Sequence, residues 1–196
     1  TLYEKKLVYQ GFKAMQICPR CETTLSNNEV TSGYKDITDI SVTAKFELVK
    51  EPGTYILAWT TTPWTLPGNV ALAVNPEAEY VKVSVGDEKY ILAKARVETA
   101  LAGKEYVVIS EMKGSELAGT AYKPIFDYYA SQGTLSNREN GWKVYGAEFV
   151  TMESGTGVVH IAPAFGEDAM NLGVRVNLPF VQHVAMDGTM KNEVCD

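Results

Sequence analysis

The chain has 196 residues, of which 45% are hydrophobic and 21% are charged, with 18 Lys and Arg against 24 Asp and Glu. This length corresponds to one globular domain, and 11 Tyr and 6 Phe among the apolar residues exclude a disordered or collagen-like chain. The net charge of −6 argues against a stand-alone protein that grips nucleic-acid phosphates over its whole surface, although one nucleic-acid end could still be received locally.

The lengths of the apolar runs and the number of cysteines indicate the cellular compartment of the protein. The apolar runs, such as that at 55–59, are far shorter than the roughly 20 residues that cross a bilayer, and we expect no membrane partner. Three cysteines, two of them in a Cys-x-x-Cys pair, are a poor disulfide framework, so a cytoplasmic location is expected. The chain starts without an initiating Met or a helix cap and stops without a closing element, which predicts a domain excised from a longer polypeptide.

The first 35 residues form a distinct predicted segment. Leu2, Leu7 and Tyr9 predict the end of an amphipathic helix that Gly11 terminates. A turn-rich knuckle follows at 17–26. We therefore assign residues 1–35 to a helix end, a knuckle and a linker, and residues 36–196 to the main domain.

The main domain is predicted to be mostly β. Alternating apolar residues at 39–46 predict a half-buried strand. Other β-branched or aromatic segments predict strands at 55–60, 69–74, 80–85, 89–93, 106–110, 142–151 and 156–161. The best helical candidates lie at 93–101 and 168–174. Many short strands at close spacing favour a mostly β fold, with a closed or partly closed β-barrel core and peripheral α-helices.

Cys18 and Cys21 have the spacing of half a tetrahedral zinc site, because two thiolates on a tight knuckle can each reach a metal at ~2.3 Å. Only Cys195 and two distant histidines could complete the ligand set. The favoured interpretation is a half-site whose partners lie in a missing part of a larger parent. Zinc held within this chain is the less favoured alternative.

Three consecutive threonines, Thr60, Thr61 and Thr62, follow a predicted buried strand and precede a turn bracketed by Pro63 and Pro67. Each hydroxyl donates one hydrogen bond and accepts two, and the prolines stiffen the backbone. Clustered hydroxyls at a strand end suit a polar ligand such as a ribose, an ester carbonyl or a water. An ordinary β-branched strand with a rigid turn explains the run about as well.

A second segment runs from Gly155 and Gly157 through His160 to Asp168. The glycines are typical of a loop that lets a ligand approach the backbone, and His160 ends a predicted buried strand. A lone histidine in such a place is more often a hydrogen-bonded core residue than a catalyst. Asp168 lies at a predicted helix start, where a capping role is the better interpretation of this residue alone.

Together these segments resemble a known family. Trp59-Thr-Thr-Thr-Pro-Trp-Thr-Leu-Pro67, followed about ninety residues later by Gly155-Thr-Gly-Val-Val-His160-x-Ala-Pro-Ala-Phe-Gly166, resembles the editing (connective peptide 1) domain of isoleucyl-tRNA synthetases. The knuckle and the segment 178–184 extend the resemblance over nearly the whole chain. Valyl- and leucyl-type domains typically carry Arg in place of Thr62, and valyl-type domains Lys in place of His160. The signatures of the class I aminoacylation core are absent from the sequence, so no synthetic activity is expected of it.

The resemblance implies hydrolysis of the ester of mischarged Val-tRNA(Ile). One missing methylene gives only ~10–200-fold discrimination in a hydrophobic pocket, and the isoleucyl enzyme is itself the known example of this limit. A second, smaller site must therefore accept valine and refuse isoleucine. The implied partners are the 3′-terminal aminoacyl-adenosine of tRNA(Ile) and the remainder of the parent synthetase. Editing implies no required cofactor, and any zinc would be structural in the parent.

The resemblance also implies roles for individual residues. Thr60, Thr61 and Thr62 would hold the adenosine and the ester and help to place the water, while His160 would restrict the size of the amino-acid side chain. The pocket walls would be shaped by Trp59, Gly157 and Phe165. A positioned water and hydrogen bonds to the developing oxyanion suffice for an activated ester without a covalent nucleophile.

One position departs from the family pattern. The family usually carries an Asp nine positions after the histidine, where it pairs with the substrate α-ammonium group; here that position is Ala169, and Asp168 comes one place earlier. A shift of one residue turns a helical side chain by roughly 100°. Either a register shift restores Asp168 to the role, or Ala169 is a true replacement that leaves the pocket able to bind but slow to hydrolyse. We favour the replacement.

Two other function classes stay open at this point. A catalytically inert module would bind the aminoacylated 3′ end and protect the ester rather than release valine. A zinc-ribbon interaction module would hold stoichiometric zinc and would lose its fold with a chelator.

Overall fold

A computed structural model of the chain describes residues 1–194, so Cys195 and Asp196 lie outside the described part. The strands are β1 (Ile17–Cys18), β2 (Thr23–Thr24), β3 (Val42–Glu47), β4 (Thr54–Thr60), β5 (Ala71–Val74), β6 (Glu79–Val85), β7 (Glu88–Ala93), β8 (Val107–Lys113), β9 (Lys143–Gly146) and β10 (Val158–Ile161). The α-helices are α1 (Asn27–Gly33), α2 (Val97–Ala100), α3 (Gly114–Leu117) and α4 (Glu167–Val176). Short 3-10 helices lie at Pro63–Gly68, Lys94–Arg96, Arg138–Asn140, Pro163–Phe165 and Asn192–Val194.

Two sheets carry most of the fold. The larger has the strand order β3-β4-β7-β6-β8, in which only the β4–β7 pair is parallel. The smaller has the order β10-β5-β9, with β5 antiparallel to β10 and parallel to β9. β1 and β2 form a separate hairpin. The central strand β5 is apolar throughout and fully buried, as expected for a strand covered on both faces.

The main hydrophobic core joins the two sheets. Ile56 and Ala58 of β4 and Phe46 of β3 face this core together with the whole of β5. A second cluster lies on the opposite face of the large sheet, because side chains alternate along each strand, and contains Leu57. α2 covers that face through the buried side chain of Val97.

The predicted mostly β fold with peripheral helices is confirmed, but the predicted β-barrel core is not found within residues 1–194. On one side, the isolated bridges Leu48–Tyr122 and Ala121–Lys143 connect the sheets. On the other, the Ala93 N–H donates to the Thr156 carbonyl at 2.9 Å. The physical reason is that 114–142 consists of turns and short helices, which cannot supply the continuous ladder that closes a barrel.

The predicted helix end before Gly11 is also wrong, because residues 2–6 form turns. Leu2 and Leu7 are 63% and 68% exposed, so a helix here would have no core to pack on, and short helices without packing are marginal in water. No residue from 1 to 41 is buried. The proposed division at residue 35 stays a prediction.

Within residues 1–194, no helix has both the length and the apolar character that a membrane crossing requires.

Candidate functional site

The threonine run lies where β4 ends and the chain turns into the 3-10 helix Pro63–Gly68. Thr60 is 7% exposed and points toward the main core, whereas Thr61 and Thr62 are exposed. The Thr62 N–H donates to Thr60 Oγ1 at 3.0 Å, and this bond draws the turn back onto the strand end. Pro63 occupies the first helical position, where its missing N–H costs nothing. The sequence pattern thus places two exposed threonines beside a buried one.

A chain of hydroxyls connects this turn to His160 on β10. Thr62 Oγ1 lies 3.2 Å from Thr60 Oγ1 and 3.5 Å from Thr65 Oγ1, and Thr65 Oγ1 lies 2.9 Å from His160 Nε2. The Thr65 hydroxyl donates its single proton to the Thr62 carbonyl at 2.7 Å, since a carbonyl can only accept. Thr65 must then accept from His160, so the proton of the neutral imidazole is on Nε2.

The surroundings of His160 keep its ring uncharged. Burial lowers the pKa of His160 to about 4. Nδ1 is buried and has no hydrogen-bond partner among the described residues, while the ring as a whole is partly accessible. With Nε2 bonded to Thr65 and Nδ1 buried, neither ring nitrogen is available to a ligand as a proton acceptor.

The loop before β10 is fastened to the body of the fold by its carbonyl groups. The Gly155, Thr156 and Gly157 carbonyls accept from Arg96 Nε at 3.1 Å, the Ala93 N–H at 2.9 Å and the Tyr80 hydroxyl at 2.7 Å. The Thr156 hydroxyl donates to the Leu57 carbonyl at 2.7 Å. Every carbonyl of this short loop is therefore engaged inside the protein.

The two glycines of this loop have left-handed backbones, with φ of 63° at Gly155 and 71° at Gly157. A Cβ at Gly155 would lie 2.8 Å from the Trp59 ring, and one at Gly157 would lie 2.4 Å from Ala93 Cβ. The space that we expected a ligand to use is thus occupied by protein side chains. The predicted contact between Gly157 and a substrate stays a prediction.

Trp59 and Phe165, two predicted wall residues, lie in different places. Trp59 follows the alternation of β4, so its ring points to the face opposite Thr60 and packs on Gly155. The Phe165 ring makes an edge contact with Trp64, 5.5 Å between centroids, and Trp64 is 47% exposed. Phe165 therefore joins the threonine turn, and Trp59 supports the glycine loop from behind.

Asp168 and Ala169, in the first turn of α4, have different surroundings. Gly166 is the N-cap residue and no side chain makes a capping hydrogen bond, so the expected capping by Asp168 is not found, although its charge suits a helix N-terminus. Asp168 is exposed and lines a surface cavity of about 270 Å³ with Glu148 and Arg175. Ala169 instead packs partly buried against the main core. The two neighbours face different surroundings, which supports the replacement interpretation.

The cysteine knuckle does not complete a metal site in the described part of the chain. Cys18 and Cys21 lie on the β1–β2 hairpin, and a hydrogen bond from Cys21 lowers the pKa of the Cys18 thiol. Among residues 1–194, no group of three or more His, Cys, Asp or Glu side chains could hold a metal ion. Cys195 lies outside this range, so the half-site stays a prediction, and we derive no step through a metal.

Thr65 is the residue that sequence reasoning missed. It is 4% exposed and links the threonine turn to His160, yet the motif alone assigns it no role of its own. Its position three residues after Thr62 is the signal that could have found it, because residues i and i+3 lie on one side of a 3-10 turn.

Comparisons with known proteins show what the whole chain is similar to. No protein-family model matches the chain. The isoleucine–tRNA ligase of Bacillus thuringiensis (strain Al Hakam) is 46% identical over 188 residues, which cover 96% of this chain and 17% of the relative. That of Clostridium novyi (strain NT) is 44% identical over 194 residues, which cover 99% of this chain and 18% of the relative. The chain thus spans under a fifth of the length of these relatives.

Among solved structures, GlLeuRS-CP1 superimposes with a TM-score of 0.57 at 24% identity, over 70% of this chain and 60% of that structure. This likeness concerns the fold. The chain is therefore homologous to isoleucyl-tRNA synthetases over about 96% of its length, and its fold is similar to that of GlLeuRS-CP1.

Proposed function

We propose that this chain is the post-transfer editing domain of an isoleucyl-tRNA synthetase, which hydrolyses the ester of mischarged Val-tRNA(Ile) in a size-excluding pocket. The observation that carries the proposal is the hydroxyl chain from Thr60 through Thr62 and Thr65 to a neutral His160. It joins polar groups that suit an ester to a ring that suits an apolar side chain.

Thr61 and Thr62 are exposed, and their hydroxyls are the groups that would contact an ester and a water. Thr62 is oriented by its bonds to Thr60 and Thr65, so its hydroxyl can be held in one direction. A water so placed attacks the ester carbonyl, the bond from that carbon to the ribose oxygen breaks, and the water proton passes to the departing ribose oxygen. The ester is already activated, so positioning and hydrogen bonds to the oxyanion provide the rate enhancement.

His160 acts in this proposal as a wall and not as a base. Its Nε2 carries a proton and is bonded to Thr65, and its Nδ1 is buried. The pKa of about 4 leaves the ring neutral at physiological pH, which suits contact with a valine methyl group. The extra methylene of isoleucine would meet a ring that Thr65 prevents from turning away.

The absence of a carboxylate at position 169 favours a second candidate, a catalytically inert module that binds the aminoacylated 3′ end of tRNA. Ala169 cannot pair with an α-ammonium group, and Asp168 faces another cavity. An ammonium group without its partner would be poorly oriented for hydrolysis. This candidate differs from the first in the fate of the ester.

Single-turnover deacylation decides between the two candidates. Val-tRNA(Ile) and Ile-tRNA(Ile) are each incubated with excess chain, and the release of the labelled amino acid is followed against a protein-free control. Editing predicts faster release of valine than of isoleucine. Slower release of both, with a measurable complex by filter binding, would support the inert module and refute the hydrolase. Uncatalysed release without a complex would refute both candidates.

A further inference from the structure

His183 is fully buried, although it lies in a stretch of irregular structure after α4. Its Nε2 lies 2.9 Å from the Trp64 carbonyl, near the start of the 3-10 helix that follows the threonine run. A carbonyl only accepts, so the ring proton is on Nε2 and Nδ1 carries the lone pair. Burial lowers the pKa of His183, which keeps this donor in its neutral form.

The rest of the ring contacts both segments of the candidate site. A Cβ at Gly68 would lie 2.6 Å from His183 Nδ1, so only glycine at position 68 admits the ring. On the other side, the Phe165 ring lies 4.8 Å away between centroids at an angle of 64°. His183 therefore fills the space between the end of the 3-10 helix and the segment that follows His160.

The backbone of His183 is anchored independently of its side chain. Its carbonyl accepts from the Lys191 N–H at 2.9 Å, and Val184 and Met190 form a β-bridge next to it. The ring thus projects from a small closed hairpin, which limits how far it can move. A rigid base is what a residue needs in order to hold two other segments in place.

Simple core filling is a poor explanation for an imidazole at this position. Nδ1 is buried and has no hydrogen-bond partner in the described chain, which is unfavourable compared with an apolar side chain of the same size. The one polar bond that the ring makes is to the backbone of the threonine turn. We propose that His183 is a positioning residue for the hydrolytic site, which holds the Trp64–Gly68 turn against Phe165 and so sets the direction of the Thr62 and Thr65 hydroxyls.

This inference rests on the proposed function, and a pair of variants of similar size tests it. His183→Gln keeps an N–H donor near the Nε2 position, whereas His183→Met has similar length and no donor. We expect His183→Gln to deacylate Val-tRNA(Ile) within about threefold of the parent chain. His183→Met should lower the maximal single-turnover rate about tenfold or more, with little change in the half-saturating concentration, because misplaced groups cost rate more than binding.

A second variant guards against simple loss of the fold. Gly68→Ala leaves His183 intact but pushes a methyl group into its ring, so it should lower the rate in the same way. The double variant Gly68→Ala/His183→Met should be no slower than the worse single variant, since both act on one contact. Additive losses, equal losses in the Gln and Met variants, or a rate loss that disappears once the unfolded fraction is subtracted would each overturn the proposal.

A readout without substrate separates this proposal from the proposed function. In NMR spectra of the chain, the ¹⁵N shifts of His183 should show the Nε2–H tautomer, and the Trp64 indole signal should move in His183→Met but not in His183→Gln. An unchanged Trp64 signal in the Met variant would refute the positioning role even if the chain hydrolyses Val-tRNA(Ile). The expected signals in a chain without hydrolytic activity would refute only the proposed function.

Discussion

The two segments that meet at the candidate site differ in how they use their polar groups. The threonine turn leaves Thr61 and Thr62 exposed. The glycine–histidine segment directs its carbonyls into the fold and presents an uncharged ring at His160. In the proposed editing reaction, the threonine turn supplies the chemistry and the glycine–histidine segment supplies the shape of the pocket. A sieve needs both, because a flexible wall would not distinguish two side chains that differ by one methylene.

The largest effect is expected from a substitution in the glycine loop before β10. Gly157→Ala places a methyl group 2.4 Å from Ala93 Cβ at a φ of 71°, so the free energy of unfolding should fall by about 3 kcal/mol. Urea denaturation measures the change. Gly133→Ala, whose added methyl group meets nothing within 4 Å, is the matched control. Equal stability of the two variants would contradict the close packing that we describe.

The second-largest effect is expected from a carboxylate introduced at position 169, near the start of α4. Ala169→Asp should raise the deacylation rate of Val-tRNA(Ile) by about 100-fold, since a carboxylate there would orient the α-ammonium group of the substrate. Single-turnover kinetics measure the gain. The control is Asp168→Asn, which should change the rate by less than about threefold, because Asp168 lines a different cavity. No gain at position 169, or a large loss at 168, would favour the register shift instead.

Removing the hydrogen bond between Thr65 and His160 should have an intermediate effect on the preference between the two substrates. Thr65→Val removes the acceptor for His160 Nε2–H and frees the ring, so the preference for Val-tRNA(Ile) over Ile-tRNA(Ile) should fall about tenfold. Parallel deacylation of the two substrates measures it. Thr43→Val on the exposed side of β3 serves as the control. An undiminished preference would show that Thr65 does not hold the wall.

The smallest effect concerns pH. The pKa of His160 is about 4 in the folded chain, below its ordinary value of 6.5, so between these values the unfolded chain binds more protons. The free energy of unfolding should therefore fall as the pH drops from 7 to 5, and His160 should contribute about 1 kcal/mol of the fall. Urea titrations of the parent chain and of His160→Gln at both pH values measure it. An equally steep fall in the variant would contradict a neutral, buried His160.

Sequence reasoning located the strands well because their signal is local. The alternation in β3 can be read from neighbouring residues. The way in which the sheets meet is not local. Tyr122 bridges Leu48 from more than seventy positions away, and a single bridge leaves no pattern in either segment. The barrel prediction was wrong because it depended on such long-range contacts between the sheets.

The candidate site shows the same division. The motif residues Thr62 and His160 could be picked out from the sequence, and the structure joins them through Thr65. The opposed orientations of Trp59 and Thr60 follow from strand alternation and could have been predicted. The burial of His183 could not, because its contacts depend on the missing side chain of Gly68, more than a hundred positions earlier.

The order of strands β10-β5-β9 has a consequence for how the molecule forms. Leu72 of β5 pairs with Val144 and His160, so the central strand has no sheet partners until the last third of the chain is available. At a synthesis rate of about 5–20 residues per second, roughly 4 to 18 s separate Leu72 from His160 on the ribosome. Non-local pairing of this kind also slows folding itself. The apolar β5 is therefore synthesised well before either of its sheet partners.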